Sequence, residues 1–202
     1  RLQHFGQELF RQPPSTFAPL LDTPVPADYT VGPGDELLVR LTGAIELDTR
    51  VTVDRNGLIR LSRIGTIPVT GVRVAELEGY LRDKIARLYK NFTLSVSLGQ
   101  LRSMQIYVMG QARRPGAYTV SSLSTLVSAI FASGGPSANG SLRQIRLMRH
   151  DRPLVEIDLY ALISQGDKTN DVKLQPGDVI VIPPAGPRVA LLGAYNRPAI
   201  YE

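Results

Sequence analysis

The side chains that most often perform catalysis or bind metal ions are scarce in this sequence. It contains no cysteine and two histidines, His4 and His150. The absence of cysteine excludes thiol nucleophiles, disulfides and thiolate metal ligands. His4 lies in a proline-rich start and His150 in a predicted hairpin turn, so we expect no shared metal or acid–base role for them. We therefore predict no catalytic residue, no cofactor and no metal site.

The acidic residues are better explained by turns and helix caps than by chemistry. The aspartates between Asp151 and Asp178 do not follow the spacing of a calcium loop. A glycosidase needs two opposed carboxylates, for which Asp35 and Asp178 are the natural candidates. Each of them follows a Pro-Gly pair, where a carboxylate usually accepts hydrogen bonds from backbone N–H groups. We predict that both carboxylates stabilise turns.

One polar loop remains as a candidate for binding. Gln111, Arg113 and Arg114 lie between two predicted strands, and Pro115-Gly116 fixes the turn that follows them. Their side chains could contact a sugar or an acidic polymer through hydrogen bonds and charge. The alternative, a solvated turn or a contact between subunits, is the one that the sequence favours. The sequence leaves these alternatives open.

The overall composition is that of a folded protein that does not recognise nucleic acid. Of the 202 residues, 43% are hydrophobic and 20% are charged, and the formal net charge is +5. The arginines are spread along the chain and only 6% of the residues are aromatic, which argues against a stacking platform for nucleic acid. No apolar run approaches the ~20 residues of a membrane-spanning helix.

Any site must be positioned by the elements of the fold. In the first half of the chain, the sequence predicts an arm followed by strands and one helix. Five prolines between residues 13 and 26 predict an extended arm, whose phenylalanines should lie on a surface of the same chain or of a neighbouring copy. Asn56-Gly57 predicts a tight hairpin with positive φ angles. The other predicted elements are strands at Glu36–Leu41, Arg50–Asp54, Leu58–Leu61, Thr66–Val69 and Phe92–Leu98, and a helix at Val74–Tyr89 with Leu88 on its buried face.

The second part predicts another small unit in which one helix packs across a mixed sheet. A serine or threonine near Ser124 should cap a helix that ends at Gly134-Gly135. Tyr118 alternates into the predicted core. The other predicted elements are strands at Met104–Met109, Ala117–Val120 and Val179–Ile182, a hairpin from Leu142–Arg149 to Leu154–Asp158, and a short helix at Leu159–Ser164 that ends at Gly166.

Two internal repeats link distant parts of the chain. Gly32-Pro33-Gly34-Asp35 recurs as Gln175-Pro176-Gly177-Asp178, and in both places an apolar strand follows. Gly110, Arg114-Pro115 and Tyr118 recur with identical spacing as Gly193, Arg197-Pro198 and Tyr201, which is called the Gly-Arg-Pro-Tyr repeat here. The chain is therefore expected to begin a second copy of its later module near Val189 and to be a fragment of a longer protein. The orphan strand should pair with another segment, since it is otherwise an exposed edge.

These residues resemble a known family, the bacterial outer-membrane polysaccharide export proteins. Residues 28–98 resemble its polysaccharide-export module through Asp28–Leu37, Asp54–Ile59 and Gly65–Val72. Residues 104–184 are similar to the SLBB module, a soluble-ligand-binding β-grasp domain, through Val108–Tyr118, Ala129–Gly135 and Leu174–Val181. The arm resembles that of the long members with several SLBB copies.

The resemblance implies an α+β fold, in which a small mixed-sheet polysaccharide-export module precedes a β-grasp-like SLBB module. The expected domains are an extended proline-rich arm (1–27), the export module (28–101), the SLBB module (102–186) and the first strands of a truncated second SLBB module (187–202). It also implies a periplasmic location associated with the outer membrane, although this fragment alone is expected to be soluble.

The function that the resemblance implies is non-enzymatic export of a capsule or exopolysaccharide. Identical subunits would form a ring that lines a translocation passage, with the polysaccharide and the inner-membrane polymerisation and co-polymerase machinery as partners. In this setting Gln111, Arg113 and Arg114 are the possible polysaccharide or subunit contacts. Two alternatives remain: a periplasmic module that binds polysaccharide or peptidoglycan without forming a pore, and an enzyme acting on polysaccharide.

Overall fold

The computed structural model of the protein describes residues 2–11, 24–194 and 196–202. Internal contacts divide these residues into two compact units. Residues 24–103 are called the N-terminal unit here. Residues 104–202 form the C-terminal unit together with residues 2–11, which are called the arm. The predicted arm also includes Pro13, Pro14, Phe17 and Pro19, which lie outside the described residues.

The N-terminal unit combines a three-stranded antiparallel sheet, a separate hairpin and one helix. The sheet has the order β2-β1-β5, and the hairpin pairs β3 with β4. Strand β1 is central and pairs with both neighbours in antiparallel register. The elements are β1 (Glu36–Gly43), β2 (Leu47–Thr52), β3 (Leu58–Leu61), β4 (Gly65–Pro68), α1 (Val74–Ile85) and β5 (Phe92–Leu98).

Alternation along β1 and helical spacing along α1 build the core of this unit, as predicted. Leu37, Val39 and Leu41 of β1 are buried because side chains two residues apart share one face of a strand. Leu77 and Leu81 of α1, with Ile85 one turn further, join the same buried cluster. The sequence pattern therefore predicts both the elements and the faces that they bury.

The turn at Asn56-Gly57 forms, but the strand that follows it pairs differently from the prediction. Gly57 has a φ of 78°, whereas Asn56 is not among the residues with positive φ. The Asp54 carboxylate accepts hydrogen bonds from the backbone N–H groups of Asn56 and Leu58, which makes this a turn organised by an aspartate side chain. Strand β3 then pairs with β4 rather than with β2.

Helix α1 is shorter than predicted, which changes the position of Leu88. The helix ends at Ile85, and the backbone N–H groups of Leu88 and Tyr89 both donate to the carbonyl of Ile85 as the chain turns away. Leu88 is consequently 61% exposed instead of buried. The prediction for this residue was wrong because apolar spacing continued beyond the point where the helix ends.

The C-terminal unit is built on a five-stranded mixed sheet with the order β7-β6-β10-β8-β9. Strand β10 lies at the centre, parallel to β6 and antiparallel to β8. This mixed sheet with its packed helices confirms the predicted α+β class. The elements are β6 (Ser103–Gly110), β7 (Gly116–Ser121), α2 (Leu126–Ala132), β8 (Ile145–Arg149), β9 (Arg152–Ile157), α3 (Leu159–Gln165) and β10 (Val179–Ile182).

Helix α2 begins and ends where the sequence predicts. Thr125 is its N-cap, and the hydroxyl of Thr125 and the hydroxyl of Ser128 each accept a hydrogen bond from the other residue's backbone N–H. Gly134 and Gly135 follow the helix with φ angles of 83° and 71°. This region of backbone conformation favours glycine. The cap and stop signals are local, and the tertiary structure retains them.

A short antiparallel hairpin and the arm complete the C-terminal unit. The hairpin pairs β11 (Val189–Leu191) with β12 (Ala199–Tyr201). The arm adds a parallel bridge between His4 and Ile200 of β12, and it continues as a turn of 3-10 helix at Gln7–Phe10. The orphan strand therefore does pair, and residues 7–10 are helical where an extended arm was predicted.

Candidate functional site

The candidate loop begins where β6 ends and is held against the central strand of the sheet. Gly110 has a φ of 80°, and a Cβ there would lie 2.3 Å from the carbonyl oxygen of Ile182. The backbone N–H of Gln111 donates to that same carbonyl, and the carbonyl of Gln111 accepts from Ser137. A glycine is required at position 110 because a larger residue would push the loop away from β10.

The structure directs the two arginines of this loop toward helix α2 and the arm. Arg114 donates from Nε to the carbonyl of Ser133 at 3.3 Å and from Nη2 to that of Ala132 at 3.0 Å. These carbonyls lie at the C-terminal end of α2, where a cation is favourable. Arg113 donates from Nη1 to the carbonyl of Phe10 at 3.5 Å. Both side chains therefore stabilise the fold as well as facing solvent.

Gln111 differs from the two arginines because its side chain makes no hydrogen bond within the described part of the chain. Its residue is exposed, and within the described part of the chain its amide group makes no side-chain hydrogen bond. Only the backbone of Gln111 is used by the fold. Of the three predicted contact residues, Gln111 is thus the one whose side chain could contact a ligand without losing an internal bond.

The Gly-Arg-Pro-Tyr repeat extends from sequence to three-dimensional contacts. The Tyr118 hydroxyl donates to the carbonyl of Arg114, and the Tyr201 hydroxyl donates to that of Arg197 at 2.8 Å. Gly193, the counterpart of Gly110, has a φ of 99°. Tyr118 packs against the core of the C-terminal unit, as predicted. The bond from the tyrosine hydroxyl to the arginine carbonyl and the positive φ of the glycine therefore recur at both copies of the motif.

Both Pro-Gly-Asp turns bury their carboxylate, and each carboxylate accepts the predicted backbone bond. Asp35 accepts from the N–H of Gly32 at 2.9 Å, and Asp178 accepts from the N–H of Gln175 at 2.8 Å. Asp35 has no exposed surface, and Asp178 is 1% exposed. Each aspartate therefore stabilises its own turn, as predicted.

Sequence reasoning missed the arginine that neutralises each buried aspartate. Arg102 donates its backbone N–H and its Nη1 to Asp35, at 2.8 and 2.6 Å. Arg149 donates Nε and Nη2 to Asp178 at 2.9 and 2.8 Å, and the hydrogen bond with Asp178 raises the pKa of Arg149. No spacing rule connects the members of these pairs, because they meet only in the tertiary structure.

A polar groove lies where α3 and the ends of β9 and β12 meet. Its volume is about 500 Å³, and its lining includes Arg143, Asp158 and Glu202. Asp158 caps α3 and pairs with Arg143 at 3.1 Å. Burial opposes ionisation of Glu202, but hydrogen bonds from Ser141 and from two backbone N–H groups outweigh it and lower the pKa of Glu202. The lining carboxylates are thus engaged in structural bonds.

The described residues contain no cluster of three or more metal-binding side chains. His4 bridges to β12 while His150 occupies the turn between β8 and β9 with a φ of 51°. Burial, and then the nearby charge of Arg188, lowers the pKa of His4. Across the described part of the chain, no helix has the length and apolar content to cross a bilayer.

Comparisons with known proteins match the same two parts of the chain. A family described as polysaccharide biosynthesis/export protein matches residues 23–99, and the SLBB domain matches residues 104–182. The polysialic acid transport protein KpsD of Escherichia coli is 34% identical over 159 residues, which are 78% of this chain and 28% of that protein. The chain is a homologue of polysaccharide export proteins.

A second relative supports the same assignment. The EPS I polysaccharide export outer membrane protein EpsA of Ralstonia solanacearum is 30% identical over 150 residues, which are 73% of this chain and 40% of that protein. The chain thus spans less than a third of KpsD and less than half of EpsA. By their names both relatives are transport or export proteins rather than enzymes. The family resemblance inferred from the residues is confirmed.

Proposed function

We propose that this chain is a periplasmic part of an outer-membrane polysaccharide exporter, in which several copies form a ring that lines the passage. The observation that carries the proposal is the tandem of an export domain and an SLBB domain, in a chain aligned over 159 residues with a polysialic acid transporter. Such a passage needs polar surfaces that hold the polymer weakly at many points. It requires no bond-breaking group, so we propose that the chain is not an enzyme.

The proposed partners are the polysaccharide, further copies of the chain and the inner-membrane polymerisation and co-polymerase machinery. The exposed side chain of Gln111 is the proposed point of contact with polymer or with a neighbouring subunit, and Arg113 and Arg114 flank it. The internal bonds of Arg114 support a mainly structural role for that residue. Nucleic acid is not among the proposed partners.

The proposed domains are a proline-rich segment (1–27) that includes the arm, the export module (28–101), the SLBB module (102–186) and the beginning of a second SLBB module (187–202). The recurrence of the Tyr201 bond supports the last of these. Val189 supports it further: it is 61% exposed, whereas Ile106, its counterpart in the repeat, is fully buried beneath neighbouring strands. A second module would bury Val189 in the same way.

Complementation in the source bacterium tests the proposed function. Deletion of the gene should lower surface polysaccharide at least tenfold and leave polymer in the periplasm, and the intact gene should restore export. If surface polysaccharide is unchanged by deletion, the export function is wrong. If the purified protein binds polysaccharide or peptidoglycan while export is unaffected, the non-pore binding module is the correct function instead.

The contact loop is tested by a matched pair of substitutions in the same strain. Gln111→Ala removes a side chain without an internal bond, so it should reduce export without changing the folded stability. Arg114→Ala removes two bonds to the end of α2 and should lower stability by about 1–2 kcal/mol. If Gln111→Ala leaves export unchanged, the proposed contact at this residue is refuted, whereas the export function itself is unaffected.

A further inference from the structure

The C-terminal unit contains an acceptor groove with two aromatic holes, and the arm occupies it. In the first hole, Phe5 lies between two tyrosines. Its ring stacks on that of Tyr201, with centroids 4.9 Å apart, and meets the ring of Tyr160 edge-on at the same distance. Phe5 is buried, and Arg197 lies over its ring at 5.9 Å. An aromatic residue is thus selected at this point of the arm.

The second hole takes Phe10 and is shaped by a glycine. The ring of Phe10 stacks on Phe131 with centroids 4.9 Å apart, and only 4% of Phe10 is exposed. A Cβ on Gly135 would lie 2.4 Å from that ring, so a larger residue would close the hole. Arg113 also donates to the carbonyl of Phe10. The hole therefore depends on the absence of a side chain at position 135.

Between and before these holes, the arm is held through its backbone. Phe5 donates its N–H to the carbonyl of Ile200, and Ile200 donates its N–H to the carbonyl of Gln3, both at 3.0 Å. Gln7 adds a side-chain bond to the carbonyl of Ser137 at 3.2 Å. An extended segment that adds a strand to a sheet edge while side chains fill pockets is a known mode of peptide recognition.

The chain connects this arm to the N-terminal unit, not to the unit that binds it. The residues that it contacts, from Arg113 to Tyr201, follow it by about a hundred positions or more. Residues 12–23 join the arm to the N-terminal unit and, at ~3.5 Å per extended residue, allow a reach of roughly 40 Å. Chain connectivity therefore permits the arm of one copy to enter the groove of another.

We propose that the acceptor groove is an interface between copies, and that it receives the arm of a neighbouring subunit. This inference rests on the proposed assembly of several copies. Each chain carries a donor segment, the arm, and an acceptor formed by other residues between Arg113 and Tyr201. A contact between unlike surfaces of identical chains is heterologous, and it closes into a ring when the rotation allows. Exchange of the arm uses the contacts already described and adds no new surface.

Cross-linking tests the exchange cleanly because the chain contains no cysteine. Two separate chains are prepared, one with His4→Cys and the other with Ile200→Cys, since these residues face each other across the bridge. They are unfolded together, refolded as a mixture and treated with a short bis-maleimide. Arm exchange should give linked heterodimers at least tenfold more often than a control mixture in which Glu8→Cys, at an exposed position of the arm, replaces His4→Cys.

Two further variants make the result decisive. A chain with both cysteines should give a ladder of linked oligomers, and adding Phe5→Ala should reduce that ladder because the first hole is then empty. If the double-cysteine chain links only within itself, or if the mixture gives no more heterodimer than the Glu8→Cys control, the exchange is refuted. Either result is compatible with normal export in the complementation experiment. Failure of the exchange and failure of the export function are therefore distinguishable.

Discussion

The buried ion pair between Arg149 and Asp178 offers the sharpest test of how the C-terminal unit is stabilised. Arg149→Met removes two charge-assisted hydrogen bonds, at 2.9 and 2.8 Å, from a carboxylate that is 1% exposed. One backbone bond from Gln175 remains. The variant also loses a bond from Arg149 to the carbonyl of Lys173. A buried charge is therefore left with a single donor.

The expected loss of stability follows from this geometry. Removing one member of a buried ion pair typically costs about 3–5 kcal/mol. The side chain of Arg149 is 18% exposed, so water can reach part of the space that it leaves. We therefore expect a loss near the lower limit, about 3 kcal/mol. Methionine fills a similar volume with an apolar chain, which keeps packing effects small.

Arg146→Met is the matched control on the same strand. Arg146 pairs with Glu156 at 3.1 Å, but the two side chains are 50% and 49% exposed. Exposed pairs of this kind contribute about 0.2–1 kcal/mol. The two variants thus make the same substitution on β8 and differ in the burial of the partner carboxylate.

Urea unfolding followed by far-UV circular dichroism measures the difference. For a slope of about 1–3 kcal/mol per molar urea, a loss of about 3 kcal/mol lowers the midpoint by roughly 1–3 M. Hydrogen exchange at the amides of β10 assigns the transition to the C-terminal unit. Adding Asp178→Asn to Arg149→Met should restore part of the loss, since no buried charge then remains. Equal midpoints for Arg149→Met and Arg146→Met would refute the reasoning.

Two more predictions concern glycine geometry and pH. Gly135→Ala should release the arm and reduce its amide protection, because the new Cβ meets Phe10. Gly177 has a φ of 84° and open space around its Cβ position. Gly177→Ala should therefore lower stability only through backbone strain, by about 1–2 kcal/mol, and leave the amides of the arm protected. Equal protection of the arm in Gly135→Ala and Gly177→Ala would contradict this prediction. The folded pKa of Glu202 lies below its ordinary value of 4.5. Its stabilisation is therefore present above that pH and is lost as pH falls through the lower folded value. The contact between Tyr201 and Phe5, followed by NMR, should loosen as pH falls through that folded pKa. Glu202→Gln should flatten this pH dependence. An unchanged pH profile in the variant would refute the role of Glu202.

Local signals in the sequence were reliable where the neighbouring residues alone decide the backbone. Glycines 134 and 135 end helix α2 with positive φ angles, and Thr125 caps its beginning, both as predicted. The burial of Leu37 and Val39 follows from strand alternation. These features depend on steric limits and hydrogen bonds within a few residues, so the local sequence is enough to predict them.

Local sequence patterns gave wrong predictions where a segment that is distant in the chain takes part in the contact. The pairing of β3 with β4 and the exposure of Leu88 both differ from the prediction. In the candidate loop, Gln111, Arg113 and Arg114 stay predicted contact residues, and all three are exposed. Arg114 binds the end of α2, whereas the side chain of Gln111 makes no internal hydrogen bond. This difference depends on where α2 lies, which the local sequence does not determine.

The sequence by itself determined the two modules, their order, the turns and the Gly-Arg-Pro-Tyr repeat, because these reside in residue type and spacing. Only the tertiary structure decided that Arg102 and Arg149 neutralise the two buried aspartates, and that the arm fills two aromatic holes. The physical reason is that these contacts join residues far apart in the chain. Their energies depend on burial and on distances of a few ångströms, neither of which is encoded in local spacing.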